Sequence, residues 1–142
     1  MTAHDYLSHA KFLDARIDSK LKQLDHLNAL ATSATAALSG MPHNPNRGAS
    51  KLETVIVKIV DLQEEINQDI DELVDLKRAI MRLIQKVPSD EQRAVLEKRY
   101  LNYQSWEQIV GDLGYSRAQL FRIKNKAIDF CDQILKDETK KY

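Results

Sequence analysis

The chain has 142 residues, and its 21 Lys and Arg balance its 21 Asp and Glu, so its formal net charge is zero. This balance argues against a uniformly basic protein that coats DNA, but it allows a local basic face. The single cysteine excludes an internal disulfide and a cysteine zinc site, and four Gly and three Pro are too few for a turn-rich β fold.

Charged residues are spread along the whole chain, including its first 25 residues. No stretch approaches the roughly 18 uncharged apolar residues that a membrane helix needs, and no signal-peptide core precedes the first charges. A lone cysteine also fits a reducing compartment. We therefore expect a cytoplasmic protein that makes no membrane contact.

The first predicted element is a helix within residues 1–39. Its apolar residues recur at helical spacing, and the later positions are small: Ala10, Leu13, Ile17, Leu21, Leu24, Leu27, Ala31, Ala34 and Leu38. The spacing predicts an amphipathic helix. A loop over 40–50 follows, because four of the seven Gly and Pro residues fall there: Gly40, Pro42, Pro45 and Gly48.

The second predicted helix, 51–87, has the strongest pattern in the chain. One seam repeats every seven residues: Leu52, Ile59, Ile66, Leu73, Ile80 and Val87. A second seam contains Val55, Leu62, Leu76 and Leu83 and is interrupted by Asp69, while Ile56, Ile70 and Ile84 are expected to widen the apolar stripe. This heptad pattern is typical of coiled-coil packing. Residues 1–87 then form an antiparallel hairpin, or the stripes pair between two chains in a homodimer.

Four Ser residues, each followed three positions later by Glu or Gln, predict helix starts: Ser50, Ser89, Ser105 and Ser116. In such a capping box the Ser oxygen accepts a first-turn N–H, and the Glu or Gln side chain accepts the N–H of the cap. We therefore predict an all-α fold. The hairpin is followed by a trihelical domain over 88–142, with helices at about 89–101, 105–113 and 116–136.

The last two helices are separated only by a tight turn, Leu113-Gly114-Tyr115-Ser116. A short helix, a turn with Gly and a longer capped helix are typical of a helix-turn-helix DNA-binding unit. Gly114 suits the left-handed conformation that ends a helix sharply. The apolar residues of the two helices share facing sides: Ile109, Val110 and Leu113, then Leu120, Ile123 and Ala127.

Residues 116–127 contain four basic side chains and no acid. If Leu120 and Ile123 face inward, the residues that face out and can meet DNA are Arg117, Phe121, Arg122 and Asn125. Lys124 and Lys126 are also expected to bind DNA but to matter less for specificity, because Lys is a point charge without a planar fork. Arg reads guanine, Asn reads adenine, and Phe can contact thymine methyl groups. The amides capped by Ser116 can hold a phosphate. A one-residue difference in helical phase would instead put Phe121 in the core.

Several segments within about 88–135 resemble region four of bacterial sigma factors: 93–100, 105–109, 113–117, 120–123 and 126–128. The positions that match Arg117, Gln119, Phe121 and Arg122 lie at or near promoter DNA in that family. Over nearly the whole chain, Ser39-Gly-Met-Pro42, the polar loop, the acidic helix and this C-terminal unit resemble an uncharacterised family of phage and prophage proteins. The chain is similar to the ArpU and RinA groups of phage regulators, which implies a role in phage gene expression.

Two classes of function remain open. The chain is a transcription regulator that binds double-stranded DNA, or it is a helical interaction protein that binds RNA polymerase or another phage or host protein. An exposed basic face over 116–127 favours the first, and a covered one favours the second. Enzymatic activity and a cofactor are not expected. The four His are scattered, and the carboxylates of 61–75 fill solvent-facing heptad positions instead of a metal site.

Overall fold

The computed structural model describes residues 2–40 and 45–140, with side chains outside 37–49. The described chain contains no strand, which confirms the predicted all-α class. A π-helical segment, Glu97–Leu101, continues the third of five helices. The helices are α1 (Ala3–Gly40), α2 (Pro45–Gln85), α3 (Asp90–Leu96), α4 (Trp106–Leu113) and α5 (Arg117–Lys140).

The second helix starts earlier than predicted. It begins at Pro45. A backbone N–H in the first turn of a helix has no acceptor within the helix, so proline loses nothing there by having no N–H, and its φ angle already suits a helix. Ser50 is therefore not a cap, and its carbonyl accepts a hydrogen bond from Thr54 Oγ1 at 2.9 Å inside the helix. The predicted loop over 40–50 is wrong for 45–50, and its residues 41–44 lie outside the described chain.

The other three predicted helix starts are confirmed. Ser89 Oγ accepts the backbone N–H of Gln92 at 3.3 Å at the start of α3. The starts of α4 and α5 have complete capping boxes, with all four hydrogen bonds between 2.9 and 3.2 Å: Ser105 with Gln108, and Ser116 with Gln119.

The helices pack into two units. The hairpin unit is Asp14–Glu72, and the helix-turn-helix unit combines the chain before Asp14 with the chain from Leu73 onward. This division differs from the predicted boundary between 87 and 88. The reason is burial at the end of α2 and just beyond it, where Ile80, Ile84 and Val87 are fully inaccessible to solvent.

Within the hairpin unit, α1 and α2 are antiparallel. Lys20 Nζ donates to Asp69 Oδ2 at 2.7 Å and lies 3.8 Å from a Glu65 carboxylate oxygen. Lys20 lies about as many residues before Gly40, the end of α1, as Asp69 lies after Pro45, the start of α2. This pairing is the one expected for two antiparallel helices. This pair also explains why a carboxylate interrupts the apolar seam, since Asp69 is only 8% exposed.

The apolar seam of the hairpin unit is narrower than predicted. Leu62 and Ile66 are buried on α2, and Ile17 is buried on α1. The expectation that Ile56 and Ile70 widen the buried stripe is wrong, because they are 47% and 40% exposed. Two helices enclose only one narrow seam, so residues on its flank keep contact with solvent.

The core of the helix-turn-helix unit contains a cluster of Val95, Ile109 and Leu120, one residue from each of α3, α4 and α5, all fully buried. Three predicted inward residues pack against it and are partly buried: Val110, Leu113 and Ile123. Trp106 and Tyr115 pack against it as well. This cluster fixes which sides of α4 and α5 face inward, and therefore which side of α5 faces out.

Candidate nucleic-acid interface

The turn between α4 and α5 has the geometry that its residues predict. Gly114 adopts φ +74°, and its N–H donates to the Val110 carbonyl at 2.9 Å. Tyr115 packs against the core, and its hydroxyl donates to the Glu91 carboxylate at 2.6 Å. This hydrogen bond raises the pKa of Tyr115 above its usual value, because the carboxylate accepts from the neutral phenol. The turn is thus tied to α3.

The orientation of α5 follows from its buried side. Leu120, Ala127 and Cys131 are inaccessible, so the opposite side of the helix faces out. Arg122, Asn125 and Lys126 lie on that side and are exposed, and Arg117 is exposed in the first turn of the helix. Within the described chain, none of the four basic side chains of 116–127 forms an ion pair. One carboxylate beside this surface is that of Glu91, which lines a pocket with Arg122 and Lys126 and accepts a hydrogen bond from the Tyr115 hydroxyl.

Phe121 lies between the two predicted alternatives. Its side chain is half-buried, with its ring centroid 4.9 Å from that of Trp106. Lys124 Nζ lies 5.1 Å from the Phe121 centroid, and the Arg117 guanidinium lies 5.7 Å from it. One face of the ring is therefore used in packing, and the ring also positions two cations by cation–π attraction.

Ser116 and Gln119 are exposed, and the side chain of each accepts a hydrogen bond from the backbone of the other. The Ser116 hydroxyl accepts the Gln119 N–H at 3.2 Å, and the Gln119 side-chain oxygen accepts the Ser116 N–H at 3.0 Å. Both residues therefore hold the first turn of α5 in place. They thereby fix the start of the helix that carries the exposed basic side chains.

Arg99 joins this surface although the sequence did not single it out. Its guanidinium lies 4.8 Å from the Trp106 centroid and donates to the Gln104 carbonyl at 3.0 Å. Arg99 belongs to the π-helical segment, where the wider turn shifts the direction of the side chains. Residue spacing gave no signal for this segment, so the position of Arg99 could not be predicted.

Among the described residues, no three His, Cys, Asp or Glu side chains come together as a metal site. No described helix combines the length and the apolar character needed to cross a bilayer. Cys131 is buried, and this burial raises the pKa of its thiol to about 11, with a smaller contribution from Asp132.

Comparison with known families gives one match, over residues 45–132, to the family described as "Protein of unknown function (DUF1492)". The match covers more than half of the chain. The protein belongs to the DUF1492 family. The DUF1492 match begins at the first residue of α2 and includes α3, α4 and most of α5. No curated protein and no solved structure matches the chain.

Proposed function

We propose that this protein is a transcription regulator that binds double-stranded DNA through its helix-turn-helix and controls phage or prophage genes in the bacterial cytoplasm. The observation that carries the proposal is the exposed side of α5, where basic residues lie without ion-pair partners in the described chain. Such a surface on a protein of zero net charge is suited to attract phosphates locally. The resemblances to sigma region four and to the ArpU and RinA groups agree with this role.

The residues of α5 divide into two proposed roles. Arg122 and Asn125 point away from the buried side and are proposed to read base edges, with Arg122 on guanine and Asn125 on adenine. Arg117, Lys124 and Lys126 are proposed to contact phosphates, and the first-turn amides capped by Ser116 add a further phosphate contact. Gln119 and Phe121 are proposed to keep the helix in the correct orientation at the DNA.

The test is a binding titration of folded variants on specific and random duplexes at several salt concentrations. Arg122→Ala should cost about 1–3 kcal/mol and relax the preference at one base pair, because a bidentate guanine contact is lost. Arg117→Ala should weaken binding to all sequences alike and lower the salt slope by about one.

The matched control lies on the same helix. Lys136→Ala/Lys140→Ala removes two exposed positive charges from α5, as Arg117→Ala/Arg122→Ala does, but beyond the basic segment. We expect the control to bind DNA almost as the wild type does. Equal affinity of the Arg117/Arg122 variant and the wild type would refute DNA binding by α5. That result would favour the second candidate, an interaction protein for RNA polymerase or another phage or host protein.

We also propose that the protein is a homodimer that pairs through α2. Ile56, Val60 and Ile70 lie along one side of the helix and are 47%, 52% and 40% exposed. Their spacing of four and ten residues keeps them within about 80° of each other around the helix. A second copy of the same helix would cover this apolar row, and a two-fold dimer would present two α5 helices to two half-sites.

Light scattering at tens of micromolar protein tests the dimer. Ile56→Asp/Val60→Asp should give a monomer with unchanged helicity, because both side chains are already exposed and their charge would then meet the partner helix. Val57→Asp is the control, since Val57 is 58% exposed but lies about 100° around the helix from Ile56. A wild type that is monomeric under these conditions would refute the proposed dimer.

A further inference from the structure

A groove of about 220 Å³ lies beside the proposed DNA-binding helix, within the helix-turn-helix unit. Its walls come from the first turns of α1, from the π-helical segment, from α4 and from α5. Three cations line it: Lys11, Arg99 and Lys124. No carboxylate is among its lining residues, so the charged side chains that line the groove are all positive.

The start of α1 is held firmly enough to make this groove a defined site. The Ala3 N–H donates to Asp132 Oδ1 on α5 at 2.7 Å. The rings of His4 and Tyr100 meet edge to face at 6.2 Å, and Leu7 is fully buried. These contacts position Lys11 at the groove, although it is distant in sequence from the other two cations.

Arg99 and Lys124 are oriented by the same aromatic ring. The Arg99 guanidinium lies 4.8 Å from the Trp106 centroid, and Lys124 Nζ lies 5.7 Å from it. Lys124 also lies 5.1 Å from the Phe121 centroid, above which Arg117 is placed on the exposed start of α5. Contacts with the Trp106 and Phe121 rings therefore connect Arg99 and Lys124 of the groove with Arg117 on α5.

We propose that this groove binds the DNA phosphate backbone, so that α1 supplies a phosphate contact from Lys11 outside the helix-turn-helix. This inference rests on the proposed function. A DNA strand carries one negative charge per 3.4 Å of helix axis, and a group of cations that continues the basic surface of α5 is suited to attract such a row of charges. Contacts of this kind fix the orientation of the protein on DNA and read no base.

An acidic protein segment is the competing ligand, because Phe12 stands at the groove with 71% of its surface exposed. A protein segment with an apolar side chain next to an acidic one could pack against Phe12 and pair with the cations at the same time. The phosphate backbone needs the cations, and it gains little from Phe12. The continuity of the cations with α5 favours DNA, and a Phe12 variant in the DNA titration tests whether phosphate binding by the groove is independent of Phe12.

The experiment uses the full chain and a labelled random duplex of about 30 base pairs, titrated between about 50 and 200 mM KCl. Lys11→Ala should reduce the magnitude of the negative slope of log K against log salt by about 0.9 and weaken binding about fivefold to tenfold near 0.1 M salt. Lys11→Ala/Lys124→Ala should reduce that magnitude by about twice as much. Phe12→Ser should change affinity by less than about twofold.

Lys22→Ala is the control, because it removes the same charge from an exposed position of α1 in the hairpin unit. We expect it to keep the wild-type slope. If Arg117→Ala/Arg122→Ala weakens binding but Lys11→Ala keeps the wild-type slope and affinity, the groove proposal is wrong and the proposed function stands. If Phe12→Ser weakens binding as much as Lys11→Ala, phosphate recognition by this groove is also refuted. A wild-type chain without salt-dependent DNA binding would refute both proposals.

Discussion

Loss of the Lys20 charge should destabilise the hairpin unit more than loss of other lysines on α1. Lys20 Nζ lies 2.7 Å from Asp69 Oδ2, and the Asp69 side chain is 12% exposed. At this distance and an effective dielectric constant of about 20, the Coulomb attraction is about 6 kcal/mol before desolvation of both ions is subtracted. Lys20→Met leaves the carboxylate buried in an apolar seam without its cation.

We expect Lys20→Met to lower the free energy of unfolding by about 2–3 kcal/mol. Loss of one partner of a buried pair typically costs about 3–5 kcal/mol. The Lys20 side chain is still 21% exposed, so water can screen part of the pair and the expected cost is smaller. Lys22→Met is the matched control, since its ion pair with Asp18 at 3.1 Å is 77% and 63% exposed. It should cost less than about 0.5 kcal/mol.

The double variant Lys20→Met/Asp69→Leu should recover most of the lost stability. Leu at position 69 continues the seam between Ile66 and Leu73, and no buried charge remains. Urea unfolding followed by circular dichroism at one protein concentration compares Lys20→Met, Asp69→Leu and the double variant in a double-mutant cycle, with Lys22→Met measured alongside. Equal effects of Lys20→Met and Lys22→Met, or a double variant as unstable as the sum of its single variants, would refute this reasoning.

Two further predictions concern the helix-turn-helix unit. Gly114→Ala should lower the free energy of unfolding by about 1 kcal/mol, because residue 114 has φ +74°. Gly111→Ala should raise it by about 0.5–1 kcal/mol, because Gly111 lies inside α4 and nothing lies within 4 Å of an added Cβ. Urea midpoints with the opposite order would contradict both expectations. Burial raises the pKa of Cys131 from 9.0 to about 11, so the folded state keeps a proton that the unfolded chain loses. Stability should therefore fall as pH rises from about 9 toward 11. Cys131→Ala should flatten this fall at about pH 8.5–9.5, below the ordinary tyrosine pKa of 10.0 at which the tyrosines with raised pKa begin to contribute. An unchanged pH slope in that variant would contradict the assignment.

Local signals in the sequence were sufficient to predict the helices and most of their ends. A Ser three residues before a Gln caps a helix through contacts within one turn, so Ser89, Ser105 and Ser116 could be recognised without the rest of the molecule. The same argument failed at Ser50, because the capping pattern is also compatible with a helix interior and Pro45 offered an earlier start.

The direction of α5 was also predictable, because the period of Leu120 and Ile123 fixes which residues face the core. The sequence thus identified the exposed basic residues Arg117 and Arg122. Whether Phe121 is exposed could not be decided in this way. Its half-burial depends on contact with Trp106 from another helix.

Contacts between residues far apart in sequence were decided only by the tertiary structure. No periodic pattern could pair Lys20 with Asp69, and the carboxylate appeared only as an interruption of a seam. The start of α1 meets α5 through Ala3 and Asp132, which brings Lys11 to the groove that Arg99 and Lys124 also line. Helical periodicity reports only which side of a helix is buried, so the choice of the element that covers that side depends on how the whole chain packs.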